Sequence, residues 1–163
     1  MIPPFESSAA PPYAGRVASR AARVKAIRPL AGVGTLSLEE CTAFLAASHV
    51  GRIALSIGAL PVILPVNYLA FDGTVWFRAP SNGTLLRASV GSVVAFETDG
   101  YDEARSFGWS VLLRGMAEEV SDLRKLEVLK SRFIDAWPLD EQAVRYVAVP
   151  ATMLTGLRYA RLA

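Results

Sequence analysis

Asn67, Arg78 and Thr84 are the residues of this 163-residue chain whose types and setting fit them to hold a polar ligand. Asn67 is an amide inside the otherwise apolar run Leu60–Phe71, and a buried amide needs a hydrogen-bonding partner. Arg78 closes the run that begins at Thr74. The loop Ala79–Gly83 then leads into a helix start, with the Thr84 hydroxyl beside it. An arginine, a hydroxyl and a helix N-terminus together can take a phosphate. The same segment also reads as an ordinary helix capped by Ser81 or Asn82, with Arg78 on the surface. Trp109 and Ser110 open a later apolar run, and Trp137 precedes Pro138. Either tryptophan can pack in a core or an interface, or wall a planar ring.

Other chemistries are excluded by what the chain lacks. The single histidine, His49, rules out a multi-histidine metal centre and argues against a serine or cysteine triad. Its position at the end of a helical pattern suits a cation there. Glu118 and Glu119 adjoin on a strand-like run, so their side chains face opposite ways and make a poor acid–base pair. No glycine-rich phosphate loop is present. Cys41 lies on an apolar stripe with Leu38, Phe44 and Leu45, the setting of a small core hydrophobe rather than a nucleophile.

The chain is 52% hydrophobic and 20% charged, with a net charge of +2. That suits one globular domain and gives little reason to expect a nucleic-acid partner. No apolar run reaches the roughly 18 residues of a membrane span. The lone cysteine forbids an intrachain disulfide, and the N-terminus has no continuous apolar leader, so a cytoplasmic location is expected. Residues 1–34 form a basic arm. Its first 14 positions are rich in Pro, Ser and Ala and are expected to be disordered. Residues 15–27 suit a short basic helix, either a solvated tail, an arm on a partner copy, or a contact to an anionic surface or nucleic acid.

The folded domain is expected over 35–163. Ser37 and Glu40 have the spacing of a capping box, opening a helix. Strands are predicted over Val50–Ile57, Leu60–Phe71 and Thr74–Arg78, with Gly58-Ala59 and Asp72-Gly73 as tight turns. A short helix follows over 81–90, and then a strand over Ser92–Asp99. The stretch Gly100–Phe107 reads as a polar loop, Trp109–Val120 as one long strand, and Ser121 to about Phe133 as a helix. Two strands, Val144–Val149 and Met153–Leu162, close the chain. Seven strands joined by short turns predict a mainly β protein, a closed or partly closed antiparallel barrel with flanking helices.

The ordered segments carry a resemblance. Val50-Gly51-Arg52-Ile53-Ala54 is followed by Pro65-Val66-Asn67-Tyr68, then by Phe77-Arg78 with Gly83-Thr84. Ala95-Phe96-Glu97 with Asp99, Gly108-Trp109-Ser110-Val111, Trp137-Pro138 and Thr155-Gly156 complete the order. Over about 36–159 this resembles the pyridoxamine 5′-phosphate oxidase-like flavoproteins, in their small actinobacterial-type branch. The resemblance implies a homodimeric split β-barrel with FMN sites at the subunit interface, acting as an oxidoreductase on a small molecule. It implies that Pro65, Val66, Asn67 and Tyr68 line the flavin ring and ribityl chain, and that Phe77, Arg78, Ala79 and Thr84 surround the phosphate. It sets Trp109 and Ser110 beside the ring, with Trp137 reaching it from the other subunit. Relatives carry Gly-Thr-Lys-Leu where this chain has Gly83-Thr84-Leu85-Leu86. A charge-assisted contact contributes about 1.5–3 kcal/mol, so losing the lysine weakens FMN binding by about one to two orders of magnitude unless Arg78 or Arg87 compensates. The alternatives are a deazaflavin-dependent reductase on the same barrel, or a non-catalytic flavin-binding protein.

Overall fold

The computed structural model describes residues 32–133 and 143–160. The expected tail and basic helix over 1–27, Trp137 and the last two residues of the expected closing strand lie outside them. The described residues form β1 (Val33–Thr35), α1 (Leu38–Ala47), β2 (Val50–Ile57), β3 (Leu60–Phe71), β4 (Thr74–Pro80), α2 (Thr84–Ser89), β5 (Val93–Asp102), β6 (Phe107–Met116), β7 (Glu118–Glu119), α3 (Leu123–Arg132), β8 (Val144–Pro150) and β9 (Met153–Ala160). None of the described helices is long and apolar enough to cross a membrane.

Every paired strand is antiparallel, in the order β1-β9-β6-β5-β2-β3-β4-β8-β7. Of the expected closed or partly closed barrel of seven strands, the antiparallel, mainly β character holds and full closure does not. Among the described residues nine strands form one sheet that does not close, with β1 and β7 at its edges. β3 is shared by two halves. Residues 60–67 pair with β2, and residues 68–71 pair with β4. Both halves curl around one core, to which Ile53, Val66, Phe96 and Leu113 come from the first and Val75, Phe77, Val147 and Val149 from the second. Burying each large apolar side chain there contributes about 1.5–3 kcal/mol.

The strand predicted over Trp109–Val120 breaks at Ala117. Met116 pairs with Val93 in the first half, whereas Glu118 pairs with Ala148 in the second. The crossing is tight: a Cβ on Gly115 would lie 2.0 Å from the Pro150 carbonyl oxygen. The loop predicted over Gly100–Phe107 is instead a hairpin, because β5 runs to Asp102 and β6 begins at Phe107. Gly100 sits opposite Trp109, where a Cβ would meet the indole at 2.8 Å. The glycine makes room for a ring across the ladder and does not break the strand.

α1 begins as predicted. Ser37 Oγ accepts from the Glu40 N–H, and Glu40 Oε2 accepts from the Ser37 N–H at 2.7 Å. α2 does not start at Ser81 or Asn82: its cap is Gly83, with no side-chain bond. The Gly83 N–H instead donates to Pro80 O, so residues 80–83 turn the chain before the helix. α3 is capped by Asp122 and lies over the outer face of the second half. There Leu129 packs with Trp76, Tyr146 and Ala148. That cover is why β4 is buried on both faces from Val75 to Ala79.

Candidate functional site

β3 changes partners between Asn67 and Tyr68. Asn67 is the last residue paired with β2, opposite Val50, and Tyr68 is the first paired with β4, opposite Phe77. The Tyr68 N–H reaches back to His49 O at 2.9 Å, which pins the junction. Side chains alternate along a strand. Val66 and Tyr68 therefore enter the core, where the Tyr68 hydroxyl donates to Leu45 O at 2.9 Å and its ring meets Phe96 edge-on. Burial pushes the Tyr68 phenol upward, against the pull of its hydrogen bonds. Pro65 and Asn67 face outward, away from this core.

The same alternation divides β4. Phe77 and Ala79 are fully enclosed in the core, and Arg78 turns to the opposite face. Arg78 is 8% exposed, with its guanidinium 5.2 Å from the Phe133 ring centroid. Asn67 and Arg78 thus stand one step beyond the last β3–β4 pair, Tyr68 with Phe77, on the same outer face. Asn67 Nδ2 is buried and has no hydrogen-bond partner. A buried amide left in that state is expensive, and a ligand carbonyl or ring nitrogen would satisfy it.

Thr84 is exposed at the start of α2. Arg87, one turn on, brings Nη2 to 3.5 Å of Thr84 Oγ1 and donates from Nη1 to Asn82 O. The helix is six residues long, so side-chain cations and hydroxyls, more than its dipole, decide what binds there. Leu85 packs against the core.

Trp109 and Ser110 do not join this group within one chain. They lie on β6, three places from β3 in the ladder, about 14 Å at the usual strand spacing. Trp109 stacks on Phe44 of α1 at 4.3 Å, and Ser110 Oγ lies 3.2 Å from the Tyr159 hydroxyl on the outer face. Trp137 lies outside the described residues.

A polar cluster that the sequence had not singled out as a site crosses this outer face. Arg52 Nη1 contacts Glu97 Oε2 at 3.3 Å and also bonds Asp99 Oδ1. Burial, and then the neighbouring Asp99 charge, push the Glu97 carboxyl upward, while Arg52 opposes them. The period-two alternation of Glu97 and Asp99, opposite Arg52 on β2, is the signal that could have found it. No group of described residues has the composition and spacing to hold a metal ion.

A family model described as pyridoxamine 5′-phosphate oxidase matches residues 37–159. An uncharacterized protein of Mycobacterium tuberculosis, Rv0080, is 35% identical over 128 residues, covering 76% of this chain and 83% of that protein. Among solved structures, an FAD binding protein from Mycobacterium smegmatis is 31% identical with a TM-score of 0.67, over 78% of this chain and 98% of that one. An FAD-binding protein from Mesorhizobium loti, 23% identical over 78% of this chain and 99% of that one, has a TM-score of 0.68 and shares the fold.

Proposed function

Because this chain belongs to the pyridoxamine 5′-phosphate oxidase family, we propose that it binds a flavin where β3 leaves β2 for β4 and acts as an oxidoreductase on a small organic molecule. The observation that carries this reading is the buried Asn67 amide nitrogen, which has no partner among the described residues. It stands on the face that also carries the buried Arg78. In this reading Asn67 donates to the polar edge of the flavin ring, and the Pro65–Tyr68 backbone forms the surface beneath it. Arg78, Thr84 and Arg87 hold the phosphate end. The pairing of Arg87 with Thr84 supports Arg87 in place of the lysine that relatives carry at position 85. A bound flavin supplies two-electron chemistry, and the protein supplies binding, orientation and exclusion of water.

FMN is the cofactor that the sequence resemblance favours. FAD is a second reading, supported by the Mycobacterium smegmatis relative, an FAD binding protein at 31% identity. We further propose that two copies share each site. The outer face that carries Asn67 exposes Val50, Ile63 and Leu157, an apolar surface that a second copy would cover. A second copy would also bring Trp109 and Ser110 to a ring that they do not reach within one chain.

The test is to purify the protein, record its visible absorption, then denature it and identify the released cofactor by mass. Flavin absorption with FMN or FAD in the released fraction is the expected result, and the mass decides between the two. A protein that stays colourless after incubation with excess FMN and with excess FAD overturns the reading.

A further inference from the structure

Arg114 stands on the outer face of β6, between Ala95 of β5 and Met153 of β9. It is half-buried, and its Nε is buried without a hydrogen-bond partner. The acids on the same face, Glu97 and Asp99, are engaged by Arg52. Glu119, farther along the chain, pairs with Arg145. No ion pair joins Arg114 to any described residue. Among the described residues it is the only ionisable one lining a cavity of about 370 Å³, whose other walls include Ala54, Ser56, Ala88 and Ala95. Those short side chains leave a depression that is largely open to solvent. Asn67, Arg78 and Thr84 do not line it, so it is separate from the flavin junction.

A guanidinium in an apolar setting calls for an anion, and its N–H groups form a fork that fits a carboxylate. A water takes about 30 Å³ of liquid volume, so an open depression of about 370 Å³ holds at most about a dozen non-hydrogen atoms. That is more than one carboxylate fills, and the remaining walls are apolar or weakly polar. We propose that this cavity is a binding site for a small organic carboxylate whose acid group is held by Arg114 and whose apolar body lies against Ala54, Pro61, Val93 and Ala95.

The test is calorimetric titration of the purified protein with three probes. They are 3-phenylpropionate (acid and body), 3-phenylpropanol (body without charge) and inorganic phosphate (charge without body). Phenylpropionate should bind at least tenfold more tightly than either of the others. Arg114→Met should weaken it tenfold or more and leave phenylpropanol unchanged. Ala95→Leu, which fills the cavity but keeps the arginine, should block both organic probes, and it serves if Arg114→Met fails to fold. Absence of phenylpropionate binding, or equal binding to Arg114→Met, overturns the proposal. So does an Arg114→Met protein that loses self-association and keeps its phenylpropionate affinity, since the anion that Arg114 meets would then be an acid of a second copy.

Discussion

Asn67 and Arg78 are polar groups held in place by apolar neighbours, and their energetics differ. Removing the Asn67 amide removes a buried group that the protein itself does not satisfy. Asn67→Leu should leave the melting temperature level or raised, because an unmet donor is lost, while flavin affinity falls. Absorbance and thermal melts on the same sample check both halves of that statement. Arg78→Ala should weaken flavin binding about tenfold or more, because a charge-assisted contact to phosphate goes with it; equilibrium dialysis reads the loss. Glu40 makes a different prediction. Its carboxyl is held below its usual value chiefly by the Ser37 N–H; desolvation opposes this, and the Ser37 hydroxyl and the Arg158 charge, each a smaller effect than desolvation, add to the lowering. The folded value is depressed, so the stability it contributes is present above the unfolded value near 4.5. It is lost as pH falls through the folded value. In acid melts the gap between the native protein and Glu40→Gln should therefore narrow below that pH.

At the scale of elements, the chain was legible wherever local chemistry decides. Ser37 and Glu40 announced α1, and Asp72-Gly73 announced the β3–β4 hairpin; both stand in the structure. The failures came where a residue answers to a distant one. Gly100 looked like a loop signal and is a gap for the Trp109 ring. Trp109–Val120 mixes apolar residues with Arg114, Glu118 and Glu119 and holds no turn dipeptide, so nothing local marks the change of partner at Ala117. Val33–Thr35 is too short to show a period and exists because β9 offers it an edge. Two predictions belong here. Ser37→Ala should cost about 0.5–2 kcal/mol in denaturant melts, the usual value of a helix cap. Gly115→Ala should cost several times the average substitution or prevent folding, because the obstacle to its Cβ is the Pro150 backbone, which has no rotamer to change.

For the whole molecule, the site was half legible. The sequence pointed to Asn67 and Arg78 as chemistry-bearing residues, and the structure sets them on one face. It could not separate them from Val66, Tyr68, Phe77 and Ala79. Those residues share the same segments, but the pleat turns their side chains into the core. Nor could it show that Trp109 lies three strands away, since ladder order is a property of the assembled sheet. The proposed pairing of two copies has its own check. Ile63 is 66% exposed on the face that carries Asn67, so Ile63→Glu should yield a folded protein of half the native mass in light scattering, with its flavin lost. Native protein of single-chain mass would overturn the pairing.

The change of partners inside β3 has a consequence for how the protein breathes. The amides on either side of Asn67 report on different ladders, since residues 60–67 are held by β2 and residues 68–71 by β4. In hydrogen–deuterium exchange the two stretches should open with separate free energies, as parts of separate cooperative units. A ligand gripped by Asn67 on one side and Arg78 on the other would clamp the seam. Its binding should slow exchange in both stretches at once and by the same factor, joining the two units into one.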